Sequence, residues 1–380
     1  MKTIIENNLW SITSFLKNKN YKFNKENILT QLPEKFINEA IEAISSWDDY
    51  APTPLIELKK LNDELKFKNI YYKDEDKRFD LKSFKALGGA FAVYKIASEK
   101  KNITVSTATA GNHGRSVAWG AQRLGLKCKI FISEFVSESR AEAMRKLDAE
   151  VIRVKGNYDN SLKECIKQSK ENNWEIVQDV SWEGYKEVPK LIMAGYTIMV
   201  KEILDELKSN SITHVFLQAG VGGMAAAMIA GFAKLSKDIP RFIIVEPENA
   251  DCVFQSIKNN EPTSVDIKKE TVMGGMSCGD VSSIAWEILK NSSNYCLTIS
   301  DEAISTTVAL LAEKRLSNEK IIAGECAVPG VIALIGSFNN KEYLDKLELN
   351  EQSNVLLFGC EGLTDNAMYQ KLLSDGLQKI

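Results

Sequence analysis

Residues 213–227 read THVFLQAGVGGMAAA. A β-branched and apolar run leads into Gly220, Gly222 and Gly223, and an alanine-rich run follows. Strand, glycine turn and helix in that order make half of a βαβ unit. Outward from this stretch the same succession recurs. Runs ITVSTA (103–108), KCKIFI (127–132), AEVIRV (149–154) and WEIVQD (174–179) read as strands with helical patterns between them. A second series continues through THVFLQA (213–219), RFIIVEP (241–247) and NVLLFGCEG (354–362). Such alternation predicts an α/β protein with two mainly parallel sheets, each covered by helices on both faces. The stretch NNEPTSVDIKK (259–269) reads as an exposed connection.

Composition narrows the function. The 380 residues are 44% hydrophobic and 26% charged, with a net charge of −3, a balance that gives no electrostatic reason to seek nucleic acid or anionic membranes. No apolar run reaches the ~18 residues of a membrane span, and the first twenty residues have no signal-peptide core, so a cytoplasmic protein with a small-molecule partner is expected. Seven cysteines without a CxxC pair fit reduced thiols better than a disulfide framework; Cys278 and Cys296 are close enough in sequence to meet across a loop, but free cysteines are the simpler reading. No metal-ligand set is assigned.

Three glycine-containing loops, each leading into a helix, are expected to carry the chemistry. In QAGVGGMAAA (218–227) converging backbone amides and a helix N-terminus suit a phosphate group, or else the glycines serve close helix–sheet packing. The stretch matches neither a nucleoside triphosphate loop nor a dinucleotide fingerprint. In LKSFKALGGAFAVYKIA (81–97), Lys85 stands between Phe84 and Ala86 with Gly88 and Gly89 following: an amine near apolar groups becomes a nucleophile for an aldehyde, or it is a surface lysine at a helix start. In TATAGNHG (107–114), Asn112 offers a donor and an acceptor beside another helix start, while His113, like His214, reads as a packed or turn-capping histidine. An amine, a phosphate cradle and an amide together suit one ligand, pyridoxal 5'-phosphate.

With YAPTPL (50–55), TATAGNHGRSVAWGAQRLG (107–125), QDVSWEGY (178–185), VEPENADC (245–252), TVMGGMSCG (271–279) and EGLTD (361–365), the chain resembles the diaminopropionate ammonia-lyases, a branch of the fold-type II, tryptophan-synthase-β-like pyridoxal-phosphate enzymes, from about residue 47 to 369. The resemblance implies two α/β domains, residues 1–88 with 186–380 as the large one and 89–185 as the small one, a cofactor in the cleft, and a homodimer. It implies Lys85 as the Schiff-base lysine next to Phe84, and Asn112 beside the cofactor's phenolic oxygen. Gly220, Val221, Gly222, Gly223 and Met224 match the phosphate loop, and Cys360 stands where a Ser or Thr usually meets the pyridine nitrogen. Thr109, Ala110, Gly111 and His113 match the substrate-binding stretch.

The implied reaction is α,β-elimination of ammonia from 2,3-diaminopropionate, giving pyruvate and ammonia, with Asp179 or freed Lys85 as the base. From position alone Asp179 is either a ligand contact at the end of a parallel strand or a structural cap. Relatives commonly carry an aspartate, credited with the D-isomer, where this chain has Ala110, so the L-isomer is favoured. GECAVPG (324–330) and Leu363 also depart from the family pattern and imply weaker selection for a cationic β-amino group. A β-eliminase or β-replacing enzyme for another β-substituted amino acid, and a catalytically silent binding homologue, are the alternatives.

Overall fold

The computed structural model describes Ile5 and residues 9–109, 111–208 and 211–380. In chain order the strands are β1 (Ile12–Lys17), β2 (Leu55–Glu57), β3 (Asn69–Asp74), β4 (Thr104–Ala108), β5 (Lys127–Ser133), β6 (Glu150–Val154), β7 (Glu175–Ile176), β8 (His214–Gln218), β9 (Arg241–Pro247), β10 (Tyr295–Ile299) and β11 (Asn354–Gly359). The chain divides into two compact units, one made of Met1–Gln31, Pro52–Lys77 and Met199–Ile380, the other of Leu32–Ala51 and Arg78–Ile198.

The first unit holds a seven-stranded sheet in the order β1-β10-β9-β8-β11-β3-β2. Its interior strands run parallel, and the edge strands β1 and β2 pair antiparallel to β10 and β3. Every residue of β8, β10 and β11 is buried, which is why these segments read as near-continuous apolar runs rather than alternating ones. The helices Gly223–Leu235 and Pro329–Phe338 are buried on almost all sides, so they too lack a polar face.

A charge is folded into this core. Lys73 on β3 and Glu202 are both almost wholly inaccessible, with Nζ 2.6 Å from Oε2, and Lys73 Nζ also donates to Thr53 O at 2.6 Å. The Thr53 N–H reaches Glu202 Oε2 at 3.3 Å, and its hydroxyl donates to Glu75 Oε1 at 2.6 Å. Removing one member leaves the other ion buried without its counter-charge. Glu202→Ala is therefore expected to cost about 3–5 kcal/mol, read as a lowered urea midpoint.

The second unit holds a four-stranded, all-parallel sheet in the order β6-β5-β4-β7. Gly88 and Gly89 lie inside the helix Lys85–Glu99, not in a loop before it. A Cβ on Gly89 would stand 2.3 Å from Ser116 Oγ on the helix Asn112–Arg123, and one on Gly195 would stand 2.8 Å from Gly88 Cα. These contacts draw the helices Lys85–Glu99, Asn112–Arg123 and Glu187–Tyr196 into one body. The joints between units consequently fall at Arg78 and Ile198 rather than at 89 and 185, and residues 32–51 also belong to the second unit. The strand expected over 174–179 is only β7, and β1, β2 and β10 were not legible as strands.

Candidate active site

In the second unit the candidate residues gather around Lys85. This residue opens its helix; its N–H donates to Ser83 Oγ at 3.3 Å, and Ser116 Oγ donates to its carbonyl at 2.6 Å. The absent Cβ at Gly89 is what lets Ser116 come so close. Lys85 Nζ is paired with Asp179 Oδ2 and lies 5.4 Å and 5.9 Å from the ring centroids of Phe84 and Tyr196. Those rings are 4.7 Å apart and form an aromatic wall that favours the cation through the ring faces. The Lys85 side chain is 26% exposed and that of Asp179 13%, so the amine is neither sealed nor on the open surface.

Asp179 owes its position to Gln178. The Thr107 hydroxyl and the Ala108 N–H donate to Gln178 Oε1 at 2.8 Å and 3.0 Å, while Gln178 Nε2 donates to Ala108 O at 3.0 Å and to Tyr158 Oη at 2.7 Å. Past Val177, whose N–H still donates to Ser106 O at 2.8 Å, the side chain of Gln178 thus replaces the backbone ladder along the edge of β4. Tyr185 Oη accepts the Gln178 N–H and donates to Ile176 O, both at 2.8 Å, and its ring stacks on Trp182 at 4.2 Å. The motif QDVSWEGY is therefore a clamp that fixes one carboxylate. Burial pushes the Asp179 carboxyl up, but the His113 ring when protonated, the Lys85 ammonium and the hydrogen bond from Lys85 outweigh it and hold the group well below the usual carboxylate range.

His113 is buried, with Nε2 2.7 Å from Val177 O, and its Nδ1 makes no hydrogen bond and faces Asp179 Oδ2 at 3.8 Å. Burial lowers its proton affinity; Asp179 raises it and Lys85 lowers it again. Thr109 Oγ1 accepts the N–H groups of Gly111 and Gly114 at 3.0 Å and 3.2 Å, so its hydroxyl caps the helix Asn112–Arg123, whose first residue is Asn112. Ala110 lies outside the described residues.

In the first unit the loop after β8 leads into the helix Gly223–Leu235. Gly222 at φ 87° makes the turn, a conformation that favours glycine. A Cβ on Gly220 would come within 3.1 Å of Met276 Cα, whereas one on Gly223 would meet nothing within 4 Å. Both sequence readings of these glycines thus have a place, packing at Gly220 and open space at Gly223. Val221 is held through its carbonyl, which accepts the Ser282 N–H at 2.9 Å, and Met224 is buried. No acidic residue stands in the first turn of this helix, and first-turn amides have no acceptor within their own helix.

Cys360 follows β11 and is buried; its thiol donates to Cys326 O at 3.1 Å, an oxygen that also accepts from Gln218 Nε2 at 2.9 Å. Close by, Glu361 Oε1 accepts the Cys326 N–H at 3.0 Å. Glu325, Cys326 and Glu361, all buried, bring ligand atoms within 4.8 Å of one another, a cluster that sequence spacing did not disclose. Leu363 donates its N–H to Asp76 Oδ1 at 3.2 Å. None of the seven cysteines is in a disulfide, and no described helix is long and apolar enough to cross a membrane.

The family described as pyridoxal-phosphate dependent enzyme matches residues 47–361. The diaminopropionate ammonia-lyase of Escherichia coli K12 is 34% identical over 351 residues, covering 86% of this chain and 88% of the relative. Crystal structures of the Escherichia coli diaminopropionate ammonia-lyase match with a TM-score of 0.88 at 31% identity over 96% of this chain. One, matched over 98% of its length, is in complex with an aminoacrylate-PLP azomethine reaction intermediate. Another, matched over 97%, is in complex with D-serine.

Proposed function

Because the chain belongs to the pyridoxal-phosphate dependent enzymes and, among them, to the diaminopropionate ammonia-lyases, we propose that it eliminates ammonia from 2,3-diaminopropionate to give pyruvate and ammonia, acting on the L-isomer. The residues present fit the cofactor. An open helix start without an acidic first turn suits a phosphate dianion, and an amine set against two aromatic rings suits an aldehyde. In this reading Gly220, Val221, Gly222, Gly223 and Met224 would hold the phosphate, Lys85 would bind the aldehyde carbon through Nζ with Phe84 alongside, Asn112 would meet the phenolic oxygen, and the Cys360 thiol would face the pyridine nitrogen. When bound, pyridoxal 5'-phosphate supplies the electron sink that acidifies the proton on the substrate's Cα.

The chain's own groups then divide the work. Asp179 takes the Cα proton, Lys85 is the second proton-transfer group, and Thr109, Gly111 and His113 border the substrate. The observation that carries this reading is the Lys85–Asp179 pair: a carboxylate clamped against the amine that would bind the cofactor. With the Lys85 ammonium discharged, Asp179 loses the cation it is paired with, which depresses its proton affinity, and becomes the stronger base. Seven cysteines outside any disulfide accord with a cytoplasmic protein, and the homodimer implied by the family resemblance would be read from the solution mass.

The test is pyruvate release by the cofactor-loaded protein from L- and D-diaminopropionate separately, with both serine isomers as controls. Turnover confined to the L-isomer is expected, since the alanine at 110 has no atom that accepts a proton. Equal turnover of the D-isomer would remove that role from position 110. Turnover of serine but of neither diaminopropionate isomer would move the activity to another β-substituted amino acid.

A further inference from the structure

His113 has one ring nitrogen in use and one idle. Nε2 sits 2.7 Å from Val177 O, and because a carbonyl only accepts, Nε2 carries the hydrogen. In the neutral ring Nδ1 is then a bare lone pair, buried and without a hydrogen bond, aimed at Asp179 Oδ2 at 3.8 Å. That oxygen is the one Lys85 Nζ pairs with. A histidine needed only for packing would be satisfied by the Val177 bond. Two nitrogens converging on a single carboxylate oxygen, one of them idle, form a route by which a proton can leave that oxygen.

We propose that His113 is the positioning and proton-relay partner of Asp179, its Nδ1 receiving the proton that Asp179 takes from the substrate. The inference rests on the reading of Asp179 as the base. In the transfer the Asp179 O–H bond breaks and an Nδ1–H bond forms, leaving an imidazolium beside a carboxylate, with Nε2–H still on Val177 O. Over the whole elimination the Cα–H electron pair becomes the Cα–Cβ double bond, the C–N pair departs with nitrogen, and the proton held on Nδ1 returns through Asp179 Oδ2 to end on the released ammonia. The charged groups facing His113 are Asp179, from the segment after β7, and Lys85, from the start of its helix, with opposite influences: the carboxylate favours the protonated ring and the ammonium disfavours it. A 3.8 Å separation closes to hydrogen-bond length with a shift of under about 1 Å, once Oδ2 is no longer held by Lys85.

Because the chain has two histidines, imidazole ¹⁵N spectra of histidine-labelled protein resolve His113 from His214 without substrate. The expected spectrum shows a neutral ring protonated at Nε2, with a titration that falls to lower pH in Asp179→Asn and rises to higher pH in Lys85→Met. An Nδ1-protonated neutral ring, or a titration that ignores Asp179→Asn, would overturn the proposal. In kinetics, His113→Gln keeps a donor for Val177 O but removes the base; kcat should fall roughly 10- to 100-fold with KM within about twofold. Unchanged kcat in a folded His113→Gln protein would also overturn it. Absence of pyruvate from the unmodified protein would instead refute the proposed reaction, leaving the spectroscopic coupling to be judged by itself.

Discussion

Lys85→Ala and Lys85→Arg should both lose pyruvate formation by on the order of 10³-fold or more, while differing in stability. Alanine removes both the amine and the cation that pairs with Asp179, so a mostly buried carboxylate loses its partner. Arginine restores a cation, but a guanidinium stays protonated and has no lone pair with which to hold an aldehyde. The pair of variants therefore separates the two jobs of one residue. Reductive trapping with borohydride followed by peptide mapping should place the cofactor on Lys85 in the unmodified protein and on no peptide of either variant. Lys85→Arg retaining more than about a tenth of the activity would take the covalent role away from this lysine.

Asp179→Asn should lower kcat on the L-isomer by roughly 10²- to 10⁴-fold, the usual span for loss of a positioned base. Asparagine keeps the shape and the clamp around Gln178 but cannot take a proton. Stability supplies a second readout whose sign follows from the direction of the pKa. The Asp179 carboxyl is held below its unfolded value, against the opposing effect of burial, with the Lys85 ammonium and its hydrogen bond favouring the ionised form. Its contribution to stability is thus fully present above the unfolded pKa of about 4 and is lost as pH falls toward the lower folded value. Urea midpoints of the unmodified protein and Asp179→Asn should therefore differ most near neutrality and converge under acid. A gap that persists unchanged through the acid range would mean that the carboxylate is not ion-paired as described.

Much of this architecture was legible because its signals are local. Runs such as HVFLQ and NVLLFG are apolar throughout because both sheet faces are covered, and the turn at Gly222 requires a backbone that glycine adopts readily. Lys85 between Phe84 and Ala86 pointed to an amine in apolar surroundings, and the aromatic wall agrees. The short edge strands were not legible: β2 is three residues long, and β1 has no fully buried residue and no alternation of half-buried with exposed positions. Such segments become strands only through the partner they pair with, here β3 and β10.

By itself, then, the sequence determined the parallel α/β alternation, the glycine turn at a helix start, and the residue types that amine, carboxylate and anion chemistry need. Tertiary structure alone decided which of these meet. Gln178 reaches Thr107 across 71 positions to end β7 early and aim Asp179, and Gly88 and Gly89 proved to be sites of close helix approach rather than loop glycines. The tautomer of His113 was settled by the carbonyl of Val177, 64 positions away. The physical reason is common to all three: propensity and periodicity act over a few residues, whereas a side-chain hydrogen bond or a missing Cβ matters only at distances of 2–4 Å, and those distances are set by chain segments far apart in sequence.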